Sequence, residues 1–68
     1  MTERLANRLK ELRAQRGITQ AELAELVGVT RKTVNTVENG VFVPSTILAI
    51  KLAAALEVNV EALFWIER

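Results

Sequence analysis

The stretch Thr19-Gln20-Ala21-Glu22-Leu23-Ala24-Glu25-Leu26-Val27-Gly28-Val29-Thr30-Arg31-Lys32-Thr33-Val34-Asn35-Thr36-Val37-Glu38 decides the fold. Thr19 followed by Glu22 is a capping box, in which hydroxyl and carboxylate reciprocally satisfy the orphan amide donors at a helix start. The first helix then runs to Leu26, with Leu23, Ala24 and Leu26 expected to face inward. Val27-Gly28-Val29 makes a tight corner, and Gly28 tolerates the positive φ such a corner needs. Thr30 caps a second helix, and Asn39-Gly40 ends it. Wound at about 100° per residue, that helix puts Thr30, Val34 and Val37 on the face expected to be buried. Lys32, Asn35 and Thr36 fall opposite, with Arg31 on the flank.

Two short helices joined by a glycine-containing corner form a helix-turn-helix unit. The helices cross closely, so the contact needs a small side chain, which is Ala24, and branched inward residues, which are Val34 and Val37. The outward face of the second helix carries two cations, an amide and a hydroxyl, with nothing acidic or bulky. A B-form major groove admits one helix and rewards donors of this kind. Arg31 has the fork to bridge guanine O6 and N7, and Asn35 the amide to pair with adenine. The methyls of Thr33 or Thr36 suit a thymine methyl. Gln20 and Thr30 lie at helix starts, where free amides and the dipole favour a phosphate.

Outside this unit the chain is short and poor in chemistry. It has 68 residues, half of them apolar, with no Cys, His or Tyr. That length allows one domain, residues 1–68, and a core so small that a partner subunit is the readiest source of extra stability. Without Cys there is no disulfide or thiolate metal site, and without His there is no ready general base, so an enzyme is not expected, nor a cofactor or metal. Ser45 is the lone serine, with no His to activate it. No apolar run reaches the roughly 20 residues that span a bilayer. The start, Met1-Thr2-Glu3-Arg4, shows no apolar signal region, so a cytoplasmic location is expected. Lys/Arg outnumber Glu by seven to five over residues 1–40, and Glu outnumber Lys/Arg by three to two over residues 41–68.

The flanking segments also read as helices. Leu5, Leu9 and Leu12 recur at helical spacing, which predicts a helix from Thr2 to Arg16, stopped at Gly17. Val41-Phe42-Val43-Pro44 is a loop or short extended piece. Ser45 caps a helix to Leu56, with Leu48, Ala49, Leu52, Ala53 and Leu56 inward. Asn59 caps a last helix through Leu63. The run Leu63-Phe64-Trp65-Ile66 either completes it or turns extended, and its aromatic and β-branched content favours the extended form.

Several motifs carry a resemblance over roughly residues 5–64. These are Leu9-Lys10-Glu11-Leu12-Arg13, Gly17-Ile18-Thr19-Gln20-Ala21-Glu22-Leu23-Ala24, Val27-Gly28-Val29-Thr30, Glu38-Asn39-Gly40, Pro44-Ser45 and Ala49-Ile50-Lys51-Leu52-Ala53. With them the chain resembles the Cro/repressor-type (XRE) helix-turn-helix regulators, in particular small stand-alone homodimeric members. The resemblance implies an all-α fold: a compact five-helix, lambda-repressor-like domain, with a short extended C-terminal tail. It implies sequence-specific binding to double-stranded DNA, as a repressor. Arg31, Lys32, Asn35 and Thr36 would contact bases, and Gln20, Thr30, Thr33, Asn39 and Gly40 phosphates. Arg13 and Glu38 would form a largely buried ion pair between the first and third helices. No small-molecule ligand or membrane partner is implied.

The chain departs from that pattern after Glu38-Asn39-Gly40. Val41-Phe42-Val43 stand where a polar residue or Lys is common, and Ile47 replaces a polar position. Such a surplus of apolar residues on a monomer calls for a covering partner. A homodimer contact within about residues 41–68, drawing on Ile47, Val60, Leu63, Phe64 and Trp65, is the expectation. Two-fold symmetry would set the reading helices about 34 Å apart on a near-palindromic operator. The alternative is an antitoxin-like interaction module whose apolar C-terminal half grips a different protein.

Overall fold

Side-chain caps set most of the helix starts in the computed structural model, which describes residues 3–68. Thr19, Thr30, Ser45 and Asn59 each accept a hydrogen bond from the amide three residues on. They open α2 (Gln20–Val27), α3 (Arg31–Glu38), α4 (Thr46–Ala55) and α5 (Val60–Leu63). At Thr19 both halves of the capping box are present. Ahead of them, α1 (Leu9–Gln15) begins where the Asn7 Oδ1 accepts from the Leu9 amide at 2.9 Å.

Two strands complete the chain, β1 (Arg4–Asn7) and β2 (Phe64–Glu67). They pair antiparallel, with Arg4 opposite Glu67 and Asn7 opposite Phe64. The Arg8 amide extends the ladder to the Leu63 carbonyl at 3.0 Å. The all-α expectation is therefore corrected: five helices are joined by a two-stranded ribbon. The helix expected from Thr2 is corrected with it. Thr2 itself lies outside the described residues, and residues 4–7 are extended. Leu5 does pack toward the core, but from a strand that the tail recruits across more than 60 positions of chain.

The core is built by Leu9, Leu23, Ala24, Val27, Val34, Val37, Leu48, Leu52, Ala53, Leu56, Leu63 and Phe64. α2 packs on both α3 and α4, and Ala24, almost fully enclosed, allows the close crossing. Two inward assignments are corrected. Leu26 is 66% exposed, because Leu23, Ala24 and Val27 already fill the seam. Thr30 is exposed as a cap, leaving Val34 and Val37 to enter the core. Gly28 takes φ +77° and makes the corner left-handed, as a glycine readily does.

Candidate nucleic-acid interface

The buried face of α3 fixes what its other face can offer. Val34 and Val37 are each about 1% exposed, so the helix cannot roll without losing core contacts. Arg31, Lys32 and Asn35 consequently stand in solvent. Together with Gln20 from the first turn of α2 they line one concavity of about 320 Å³. Two cations and two amides thus converge on one site from two helices.

Local hydrogen bonds hold parts of this surface in place. Asn39 donates from Nδ2 to the Asn35 Oδ1 at 3.2 Å, leaving the Asn35 amide donors free. Thr36 is half-buried and donates its hydroxyl to the Thr33 carbonyl at 2.9 Å. Its polar group is thereby occupied, and its methyl is the more available part. Thr33 is also half-buried, its hydroxyl 3.1 Å from that of Thr30, whose oxygen accepts from the Thr33 amide. Asn39 and Gly40 are exposed just beyond the helix. The amides of Val41 and Phe42 fold back to donate to the Thr36 carbonyl, at 2.9 and 3.2 Å.

Beneath this surface lies a charged brace. Arg13 Nε meets Glu38 Oε2 at 2.7 Å, with the side chains only 15% and 3% exposed. Arg13 Nη1 donates to the Ile18 carbonyl at 2.8 Å, so the guanidinium ties α1 both to the end of α3 and to the loop before α2. Gln20 Nε2 donates to the other Glu38 oxygen at 3.0 Å. The amide is thus oriented, with its second N–H and its carbonyl oxygen left available. A carboxylate this enclosed needs such partners, because an unpaired buried charge is strongly unfavourable. The link from Gln20 to Glu38 is not visible in the sequence, since the two residues lie 18 positions apart.

The residues expected at a subunit contact divide. Leu63 and Phe64 are 0% and 6% exposed and belong to the core of the subunit itself, which withdraws them from any surface contact. They are taken because α5 packs on α4 and on β2, which carries both side chains into the core cluster. Val60 is half-buried against that core. Ile47 stands in solvent, as do Val41, Phe42, Val43, Ile50 and Ile66. Trp65 is partly exposed, with the Arg8 guanidinium 5.0 Å from its ring centre. Among the described residues no cluster of acidic side chains is placed to hold a metal ion. No helix is long and apolar enough to cross a membrane.

Comparison with known proteins bears on this geometry. The profile of the helix-turn-helix family HTH_3 matches residues 9–63. An uncharacterized HTH-type transcriptional regulator of Bacillus subtilis, YgzD, is 48% identical over 63 residues, covering 93% of this chain and 96% of its own. Among solved structures, the restriction-modification controller protein C.AhdI of Aeromonas hydrophila superposes with a TM-score of 0.76 at 39% identity. The match covers 79% of this chain and 82% of that one. The clp gene regulator ClgR of Corynebacterium glutamicum gives 0.75 at 32% identity, over 78% of this chain and 56% of ClgR.

Proposed function

The chain belongs to the XRE-type helix-turn-helix family HTH_3, whose curated relatives are named transcriptional regulators, and from that premise we propose that it is a repressor that reads a near-palindromic operator as a homodimer. That it is a DNA-binding transcriptional regulator follows from the family itself. The observation that carries the finer reading is the convergence of Arg31, Lys32, Asn35 and Gln20 on one exposed concavity above a rigidly seated helix. In this reading α3 enters the major groove. Arg31, Lys32 and Asn35 probe base edges, with the Thr36 methyl at thymine. Gln20, Thr30, Thr33 and Asn39 hold phosphates and set register, whereas the Gly40 amide expected to join them already donates to the Val37 carbonyl at 3.1 Å. The dimer contact falls within residues 41–68 and uses Ile47, Val60 and the exposed apolar residues around them.

Selection of a preferred duplex in vitro, followed by titration over a salt series, tests this. Specific affinity should fall with salt on a log–log plot, at about −0.9 per phosphate neutralised. Arg31→Ala should relax preference at one base position by about 1–3 kcal/mol while leaving the unfolding midpoint unchanged. Equal affinity for selected and random duplexes would remove the reading. The exposed Val41, Phe42, Val43, Ile47 and Ile50 favour a second one, an antitoxin-like module that binds another protein. A chain that sediments as a monomer at micromolar concentration and shows no duplex preference would support that alternative.

A further inference from the structure

The corner between the ribbon and α1 holds two cations, Arg8 and Lys10, that lie outside the α3 reading surface. Arg8 and Lys10 pair with no carboxylate among the described residues, whereas Arg4, Arg13, Arg16 and Arg68 all do. Both line a groove of about 640 Å³ that also takes in Asn7, Trp65 and Glu38. Glu38 is the last residue of α3, and its charge is already met by Arg13. Asn7 Nδ2 donates to the Val37 carbonyl at 3.0 Å, which pins this corner against the C-terminal turn of α3. The Arg8 guanidinium stacks over Trp65, an arrangement that satisfies its face and leaves its N–H edge free.

The geometry points to this groove as a second DNA-backbone site, in which Arg8, Lys10 and the Trp65 indole N–H hold a phosphate of the duplex flanking the bases that α3 reads. The reason is dimensional. A helix with its side chains is about 10–12 Å across and the major groove about 12 Å wide, so an inserted helix lies close against both sugar-phosphate walls. Elements packed beside α3, along its flank and at its ends, are therefore placed to meet those walls. Thr30 serves the N-terminal end, Gln20 lies along the flank and bonds to Glu38, and the Arg8–Lys10 groove lies beside the C-terminal turn. Glu11 lines the same groove without a cationic partner among the described residues, so it opposes phosphate binding and tunes it downward.

This inference rests on the proposed DNA reading, and its test separates the two. The probes are the selected duplex and a random duplex of equal length, titrated over a salt series. Arg8→Ala and Lys10→Ala should each weaken both duplexes by the same factor, roughly three- to tenfold at low salt, and flatten the salt slope by about 0.9 per bound subunit. Glu11→Gln should strengthen both. Trp65, the one tryptophan of the chain, should change its emission when either duplex is added, and the change should fade as salt rises. Lys10 and Glu11 are exposed on α1, so their variants decide the matter even where Arg8→Ala loosens the ribbon. Wild-type binding of the selected duplex, with Lys10→Ala and Glu11→Gln indistinguishable from it, overturns the groove assignment and leaves the reading of α3 standing. Absence of wild-type binding to either duplex overturns both.

Discussion

The helix-turn-helix pair and the terminal ribbon are made in opposite ways. In α2–α3 each boundary is specified within four residues: Thr19 with Glu22, Gly28 at the corner, Thr30 with Thr33. In the ribbon every boundary depends on a residue at the far end of the chain, Arg4 on Glu67 and Asn7 on Phe64. Local capping is written in sequence at short range, whereas strand pairing is a match between two distant segments that neither encodes alone. The outer polar links differ in worth as well. The Arg13–Glu38 brace is enclosed, while the ribbon's Arg4–Glu67 pair has side chains 78% and 45% exposed.

The largest test of that contrast is Glu38→Ala. It strands the Arg13 guanidinium in an enclosed site and frees the Gln20 amide, so chemical denaturation should show a loss of about 3–5 kcal/mol. A loss below 1 kcal/mol would mean that water reaches the brace. Removal of the α2 cap by Thr19→Ala is next, at about 1 kcal/mol from the same measurement. Glu57→Gly should run the other way. Glu57 follows α4 with φ +58°, in the left-handed region that costs a non-glycine residue roughly 1–2 kcal/mol. Glycine there should raise the melting temperature, because the pair Glu57 makes with Arg16 at 3.3 Å is exposed and contributes little. The smallest effect belongs to Arg4→Ala in the ribbon, at most about 0.5 kcal/mol and further reduced by added salt. A loss as large as that of Glu38→Ala would erase the distinction between the two regions.

Much of the fold was legible because its signals are short-ranged. The caps at Thr19, Thr30, Ser45 and Asn59 and the corner at Gly28 all stand where the sequence reading put them. Residues 4–7 were misread because Leu5, Leu9 and Leu12 mimic one helix face, although Leu5 reaches the core from a strand. Asn7 carried the missed signal: it is a weak helix-interior residue and a good local acceptor, and it opens α1 rather than continuing it. Leu26 was misplaced because periodicity names a face only to within a wide arc, and α4 covers one side of that arc. Glu57 gave no warning at all, since it turns the chain left-handed without glycine.

At the candidate site the sequence showed that α3 turns Arg31, Lys32 and Asn35 outward, but it placed Thr36 there as well, which is half-buried with its hydroxyl tied to the Thr33 carbonyl, and it did not show how the others are held. Arg31, Lys32 and Asn35 followed from winding the helix around Val34 and Val37. The bonds from Asn39 to Asn35 and from Gln20 to Glu38 depend on how helix ends are placed in space. Apolar character could not divide core from surface in the tail either. Leu63, Phe64, Trp65 and Ile66 are equally greasy in sequence, yet the first two are enclosed and the last two are not.

What the amino-acid order determined by itself is therefore the helix-turn-helix unit and the chemical character of its outward face, because caps, corner and helical period act over a single turn of chain. Only the tertiary structure decided the ribbon, the bracing of Gln20 by Glu38 and the stacking of Arg8 on Trp65. These join residues far apart in the chain, and such contacts exist only once the packed core has brought the segments together.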